Sequence, residues 1–354
     1  MYNFVTLFDK NYLSRGIALY HSLVKHCHNF SLYILALDTE TENSLPKKLN
    51  NYCSIIPLNE LESCYPELSS LKKERSRAEY CWTLTPYSIQ YVIKKFNLDS
   101  CTYLDSDIFF FNSPNIILDA ANDYSIIITE HRYTPEYDQT KTSGKYCVQF
   151  ISFKNDDCGT EALEWWRLRC KEWCYARCED NKFGDQKYLD DWTTRFKNVY
   201  VPTHIGCGLA PWNIQQYDLF IQDNTLYAQD KVTKKEEPVI FYHFHGLKTV
   251  HANTDSDTLS LSSYIFDSTV IKYVYSDYIN LLYKGKDIHI DFTEQKQKML
   301  FFSIISLVLK DIVKNMFFIK KYRYYKKLLE EKHRSKTANT LIVYLTDTRK
   351  KEQG

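Results

Sequence analysis

Between residue 4 and about residue 130, short apolar runs alternate with stretches of helical periodicity, and this alternation constrains the fold more than any other feature. Residues 4–8 (Phe-Val-Thr-Leu-Phe) read as a first strand. Residues 15–26 carry Ile17, Leu19, Tyr20, Leu23 and Val24 at helical spacing, and residues 32–37 are continuously apolar. Residues 86–96 are periodic again, residues 102–104 form a strand that runs into Asp105-Ser106-Asp107, and residues 125–128 form another. Further on, strands are expected at 147–153 and 239–244, and helices at 161–175 and 186–196. Strands separated by helices at this spacing imply an α/β domain whose central sheet is mostly parallel and flanked by helices.

The chain has 354 residues, room for one large domain with an appendage. Apolar residues make up 44%, enough to fill a core, which excludes wholesale disorder. Lys+Arg number 45 against 44 Asp+Glu, so the general electrostatic case for a nucleic-acid partner is absent. Glycines number only 9, and neither G-x-G-x-x-G nor G-x-x-x-x-G-K-[ST] occurs. A bound phosphate must therefore be held by something other than a glycine-rich loop. The cysteine count of 11 is odd, and no secretory leader is evident, so free thiols in a reducing cytosol are expected. Cys170, Cys174 and Cys178 would lie along one stripe of a helix, which suits buried structural thiols better than a metal cage.

The character of the chain changes after about residue 252, which divides it into a body (1–252) and a helical, basic, amphipathic C-terminal extension (253–354). Residues 254–263 are polar and serine-rich, as a link would be. Residues 299–309 are apolar apart from two serines, about half of the ~20 residues a spanning helix needs. Ser303, Ser306, Lys310 and Lys314 trace one polar stripe, and a basic, aromatic run follows at 320–327. Residues 296–354 hold 15 Lys+Arg against 5 Asp+Glu, a net +10, and residues 1–295 hold 30 against 39, a net −9. Such a tail fits a helix lying on an anionic membrane surface through residues 296–334, and it also fits a tail packed on the acidic body.

The chemistry-bearing residues cluster in four short segments. Asp105 and Asp107 follow a buried strand, where ligands of open α/β sheets sit. Hard carboxylate oxygens at this spacing can grip a divalent cation that keeps positions open for phosphate oxygens. Asp9-Lys10-Asn11-Tyr12 follows the first strand, and Phe183-Gly184-Asp185-Gln186 opens a helix. Tyr242-His243-Phe244-His245-Gly246-Leu247-Lys248 ends a late strand with imidazole, glycine and lysine together. Imidazole can complete a metal shell, glycine admits backbone close to phosphate, and lysine adds charge.

In this order the segments resemble glycosyltransferases of the nucleotide-diphospho-sugar (GT-A) fold. The likeness is to the glycogenin-like and bacterial lipopolysaccharide galactosyl- and glucosyltransferase group, glycosyltransferase family 8-like, over residues 1 to about 250. The resemblance implies a retaining hexosyltransferase that uses Mn²⁺ or Mg²⁺ and a UDP-sugar donor, with a glycan or glycolipid acceptor in surface polysaccharide or lipopolysaccharide synthesis. It implies that Asp105, Asp107 and His243 are the metal ligands, and that Gly246 and Lys248 contact the diphosphate. Asp9 and Tyr12 would hold and stack on the uracil, Asp185 would bind a donor-sugar hydroxyl, and Gln186 would lie near the anomeric carbon. A cytoplasmic enzyme docked peripherally on the inner face of the cell membrane is the implied setting.

The sequence departs from the family pattern in places. Lys10 stands where a second Asp is usual, Lys248 follows Gly246 by two residues instead of three, and Val148-Gln149-Phe150 replaces Asn-Ala-Gly. His243 is preferred over His245 as the ligand, and an inverting enzyme would need a base such as Asp185 or Asp191. Arg75 and Arg77 either meet phosphate or pair with acids, Trp165, Trp166 and Trp173 are expected in the core, and residues 210–213 are an acceptor-side candidate. Two rival readings are a sugar-nucleotide pyrophosphorylase, which would open with a glycine-rich basic loop that residues 8–12 lack, and a non-catalytic sugar- or membrane-binding module.

Overall fold

The computed structural model describes residues 1–282 and 288–290, except 48, 50, 51, 252–256 and 261–263. The docking tail expected over 296–334 lies outside these residues. The chain divides into two compact units, Met1–His245 with Thr269–Leu282, and Gly246–Ser268 with Tyr283–Gly354.

The first unit is built on a seven-stranded sheet. Its strands are β1 (Tyr2–Phe8), β2 (Phe30–Ala36), β3 (Cys53–Pro57), β4 (Ser100–Leu104), β6 (Ile126–Glu130), β7 (Tyr146–Lys154) and β8 (Val199–Tyr200), in the order β3-β2-β1-β4-β7-β6-β8. β5 (Ile108–Phe110) lies outside this sheet. Neighbours pair in parallel except β7, which runs antiparallel to both β4 and β6. Successive side chains on β1 enter different cores: Phe4 and Phe8 join one buried cluster, Val5 and Leu7 the other. Both faces are thus covered, which is why these strands read as largely apolar runs.

The helix expected at 86–96 runs from Arg77 to Phe96 and contains Pro86. Ser76 and Glu79 form a capping box: Ser76 N–H donates to Glu79 Oε2 at 2.8 Å, and Glu79 N–H donates to Ser76 Oγ at 3.4 Å. This start signal sits ten residues before the proline, a residue more often found in the first turn of a helix. Asp157–Glu172 forms the helix expected near 161–175, capped by Asp156, and it ends before Cys174 and Cys178. The expected thiol stripe therefore does not form: Cys170 and Cys174 are buried, Cys178 is exposed, and all eleven thiols are free. The helix expected at 186–196 is two short turns, Lys187–Asp191 and Trp192–Arg195.

The antiparallel strands β9 (Tyr217–Gln222), β10 (Thr225–Asp230) and β11 (Glu236–Pro238) form a separate three-stranded sheet. The late strand β12 (Phe241–His243) pairs antiparallel with β5. The segment Thr269–Leu282 also belongs to this unit. Its Tyr278 ring stacks on Phe244 at 3.7 Å, just after the strand that carries His243. In the second unit β13 (Lys248–His251) pairs antiparallel with β14 (Asp257–Ser260), which pairs in parallel with β15 (Ile288–Ile290). A strand at 257–260 thus replaces part of the polar link expected at 254–263.

Candidate active site

A cleft of about 690 Å³ opens in the first unit, and Asp9, Tyr12, Asp105, Asp107, Asp185, Gln186 and His243 all line it. Strand register explains how three of them meet. Asp105 and Asp107 occupy the turn between β4 and β5, and β5 pairs with β12 so that Ile108 faces His243. Phe244 N–H donates to Asp107 O at 2.9 Å and Asp105 N–H to Gln149 O at 3.0 Å, which clamps this turn from both sides. One ligand atom from each of Asp105, Asp107 and His243 lies within 4.8 Å of the others.

His243 Nε2 sits 3.1 Å from Asp107 Oδ1 and 3.8 Å from Asp105 Oδ2. The other ring nitrogen, Nδ1, donates to Gln149 Oε1 at 2.8 Å. That bond fixes the tautomer and aims Nε2 at the carboxylates, as the outer partners of metal-binding histidines do. Gln149 is fully buried, and its Nε2 lies 3.5 Å from Thr129 Oγ1. A Cβ on Gly208, whose φ is +76°, would come within 2.7 Å of that amide nitrogen. Glycine there leaves room for Gln149 and adopts the left-handed turn without strain.

The charges in this cluster are strongly coupled. Burial raises the Asp105 carboxyl to about 6, with Asp107 adding to the rise and His243 opposing it. Burial also opposes ionisation of Asp107, but His243 outweighs it and holds that carboxyl down at about 2. Burial alone would lower the His243 imidazole, yet Asp107 and then Asp105 hold it well above its ordinary value. Two carboxylates facing one imidazole form an anionic pocket, and the hard oxygen and nitrogen donors suit a divalent cation such as Mn²⁺ or Mg²⁺.

Asp185 is buried, and burial and then Asp105 push its carboxyl up to about 8. Its backbone is pinned from the core, because Trp166 Nε1–H donates to Asp185 O at 2.8 Å. Trp166 is thus a core residue, as expected, with a bearing on the cleft. Gln186 Nε2 donates to Ser143 O at 2.9 Å. Asp9 is buried, accepts from Asn11 N–H at 2.8 Å, and forms an ion pair with Arg77. Tyr12 keeps 42% of its surface exposed, and the Arg15 guanidinium lies 4.4 Å from its ring. Gly246, with φ +75°, and the exposed Lys248 belong to the second unit.

Of the remaining candidates, Arg77, Trp212 and His245 line the cleft, whereas Arg75, Lys10 and Asp191 do not. Arg75 is buried and donates to Cys170 O and Lys171 O, both at 2.7 Å, so it ties two helices together. Arg77 meets acids, pairing with Asp9 and reaching Asp38 at 3.6 Å. Lys10 pairs with Glu40 at 2.9 Å. Asp191 chelates Arg195 one turn along and is not among the cleft-lining residues. Trp212 and His245 both line the cleft. Gln149, Tyr103, Thr85 and Trp82 were missed as site residues. Gln149 sits in the segment that departs from the family pattern, and the helix carrying Trp82 and Thr85 was signalled by Ser76 and Glu79.

No protein-family model matches the chain. Two proteins of Bacillus subtilis (strain 168) match most of it. The uncharacterized protein YfnF is 33% identical over 258 residues, covering 71% of this chain and 83% of YfnF. The uncharacterized protein YfnD is 32% identical over 287 residues, covering 78% of this chain and 88% of YfnD. The chain belongs to the family of YfnF and YfnD. Among solved structures, galactosyltransferase LgtC in complex with donor and acceptor sugar analogs aligns with a TM-score of 0.50 at 12% identity. The match covers 79% of this chain and 95% of LgtC. It supports the GT-A fold for the α/β body, with its mostly parallel seven-stranded sheet.

Proposed function

We propose that the chain is a metal-dependent glycosyltransferase that moves a hexose from a UDP-sugar to a glycan or glycolipid acceptor. The observation that carries this reading is the convergence of Asp105, Asp107 and His243 in the cleft that Asp9, Tyr12, Asp185 and Gln186 also line. The three converging side chains would hold Mn²⁺ or Mg²⁺. When bound there, the cation supplies Lewis-acid and electrostatic stabilisation of the charge that builds on a leaving diphosphate.

The chain's own residues bind and orient the substrates around that point. Asp9 accepts a hydrogen bond from the base, and the exposed face of Tyr12 stacks on it. Asp185, buried in the cleft lining, hydrogen-bonds donor-sugar hydroxyls, while Gln186 orients the reacting end of the sugar. Asp191 is tied to Arg195 and does not line the cleft, so it is not placed to act as a base there. Retention of configuration, with a leaving-phosphate oxygen accepting the acceptor's proton, is the course that the family resemblance implies.

The body at 1–252 performs the transfer, and the extension at 253–354 docks it on the inner face of the cell membrane through residues 296–334. The sequence supports this through the +10 charge of residues 296–354. No helix among the described residues is long and apolar enough to cross a membrane. A role in surface polysaccharide or lipopolysaccharide synthesis fits a cytoplasmic, membrane-docked enzyme of this kind.

Incubation with a panel of UDP-sugars tests the central claim. UDP should be released from at least one donor with Mn²⁺ present and from none after chelation. If no donor gives metal-dependent release or binding, the enzyme reading fails. Deleting 296–354 should release the protein from phosphatidylserine-containing vesicles, and unchanged vesicle binding would remove the docking role.

A further inference from the structure

Trp82 is a large aromatic residue in the cleft to which the proposed transfer has so far given no task. It lies on the Arg77–Phe96 helix, where Ala78, Cys81, Trp82 and Thr85 line the cleft at helical spacing. The indole is partly buried, and its N–H donates to no described residue. Its back is fixed by the loop before Asp185. A Cβ on Gly184 would stand 3.2 Å from Trp82 Cε3, and the Phe183 ring centroid is 6.1 Å away. Gly184 has φ +52°, so the chain turns against the ring in a conformation that glycine adopts cheaply. A flat, supported, cleft-facing ring beside a carboxyl is the chemistry that recognises a pyranose, whose C–H face is apolar and whose edge carries hydroxyls.

The position relative to the acidic cluster says which sugar this is. The hexose of a nucleotide-sugar is bonded directly to the second phosphate, so it must lie next to the residues that hold the diphosphate. Tyr103 hydroxyl donates to Asp105 Oδ1 at 3.0 Å, and the Thr85 hydroxyl approaches both Tyr103 and Asp185. Two side chains therefore bridge from the acidic cluster to Asp185, and Trp82 precedes Thr85 by one turn.

We infer that Trp82 is the platform on which the donor hexose packs its C–H face, with Asp185 taking hydroxyls at the ring edge, so that Trp82 helps to decide which sugar is accepted. This rests on the glycosyltransferase reading, and the test separates the two. Binding of UDP and of the UDP-sugar found in the donor panel is measured by calorimetry with Mn²⁺, beside kcat/KM for that sugar. Wild type, Trp82→Ala, Trp82→Phe and Trp82→Leu are compared. Trp82→Ala should leave UDP affinity within about twofold and lower kcat/KM for the UDP-sugar about 10–100-fold, the worth of one aromatic contact. Trp82→Phe should recover most of that loss, and Trp82→Leu, apolar but not flat, should not. Should Trp82→Ala fail to fold, the Phe–Leu contrast carries the test. Equal loss of UDP and UDP-sugar binding, or no loss of either, would overturn the platform. If the wild-type protein bound no UDP with Mn²⁺, the underlying reading would fail and the platform with it.

Discussion

At one end of the cleft, Asp105, Asp107 and His243 bring three ligand atoms within 4.8 Å of one another. In a second part of the cleft, bridged to the first through Tyr103 and Thr85, Trp82 packs against the Phe183–Gly184 turn that leads into the buried Asp185. The first end is fixed by strand register, through the pairing of β5 with β12 and the backbone bonds of Asp105 and Asp107 to β7 and Phe244. A one-residue slip there would turn His243 away from the carboxylates. The second end is fixed by a helix cap and a loop, which tolerate exchange of side chains without disturbing the sheet. The proposed metal site on the rigid part and the proposed sugar pocket on the adjustable part would let one fold keep its chemistry while its substrate changes.

The sharpest way to break this comparison is to remove charge from the metal end. Asp107→Asn keeps the shape and removes one of two carboxylates, so metal-dependent UDP binding should vanish and UDP release should fall about 10³-fold or more. Far-UV circular dichroism should be unchanged. Undiminished metal-dependent UDP binding would remove Asp107 from the ligand set.

A smaller effect is expected one residue further from the cation. Gln149 touches the imidazole and not the proposed metal, so Gln149→Ala should weaken Mn²⁺ affinity about 10–100-fold while leaving the sugar preference alone. Calorimetric Mn²⁺ titration checks this. A fall in melting temperature with unchanged metal affinity would reduce Gln149 to a packing residue.

The same contrast separates what the sequence revealed from what it hid. The convergence of Asp105, Asp107 and His243 was foreshadowed by local patterning: Asp105 and Asp107 follow the mostly apolar strand Ser100–Leu104, and His243 ends the strand Phe241–His243. Local patterning carries that information. The antiparallel direction of β7, the pairing of β5 with β12 and the role of Gln149 depend on partners dozens of residues away, which periodicity does not record. The sugar end was hidden for another reason. Pro86 was read as a helix start, when the capping box at Ser76 and Glu79 begins that helix ten residues earlier. Trp82 therefore fell outside the expected helix. Cys174 and Cys178 were misplaced in the opposite sense, because helical spacing continues in the sequence past Glu172, where the helix stops.

The smallest expected effect bears on stability and sharpens the sugar end. Burial, and then Asp105, raise the Asp185 carboxyl from 3.8 to about 8, so the folded protein holds a proton there that the unfolded chain releases near pH 4. Across that window the folded state binds more protons than the unfolded state, and the contribution of Asp185 to stability falls as pH rises. Asparagine has no such proton to lose. Asp185→Asn should therefore match the wild type near pH 4 and gain melting temperature over it progressively up to about pH 8, measured with EDTA present. Its UDP-sugar turnover should fall over the same range, because the amide cannot reproduce the hydrogen bonds of the carboxyl to sugar hydroxyls. Gain of stability with loss of turnover marks a residue kept for its ligand at a cost to the fold. A stability difference that is flat with pH would instead mean that Asp185 is ionised in the folded protein, and its role as a hydrogen-bond donor at the sugar end would be lost.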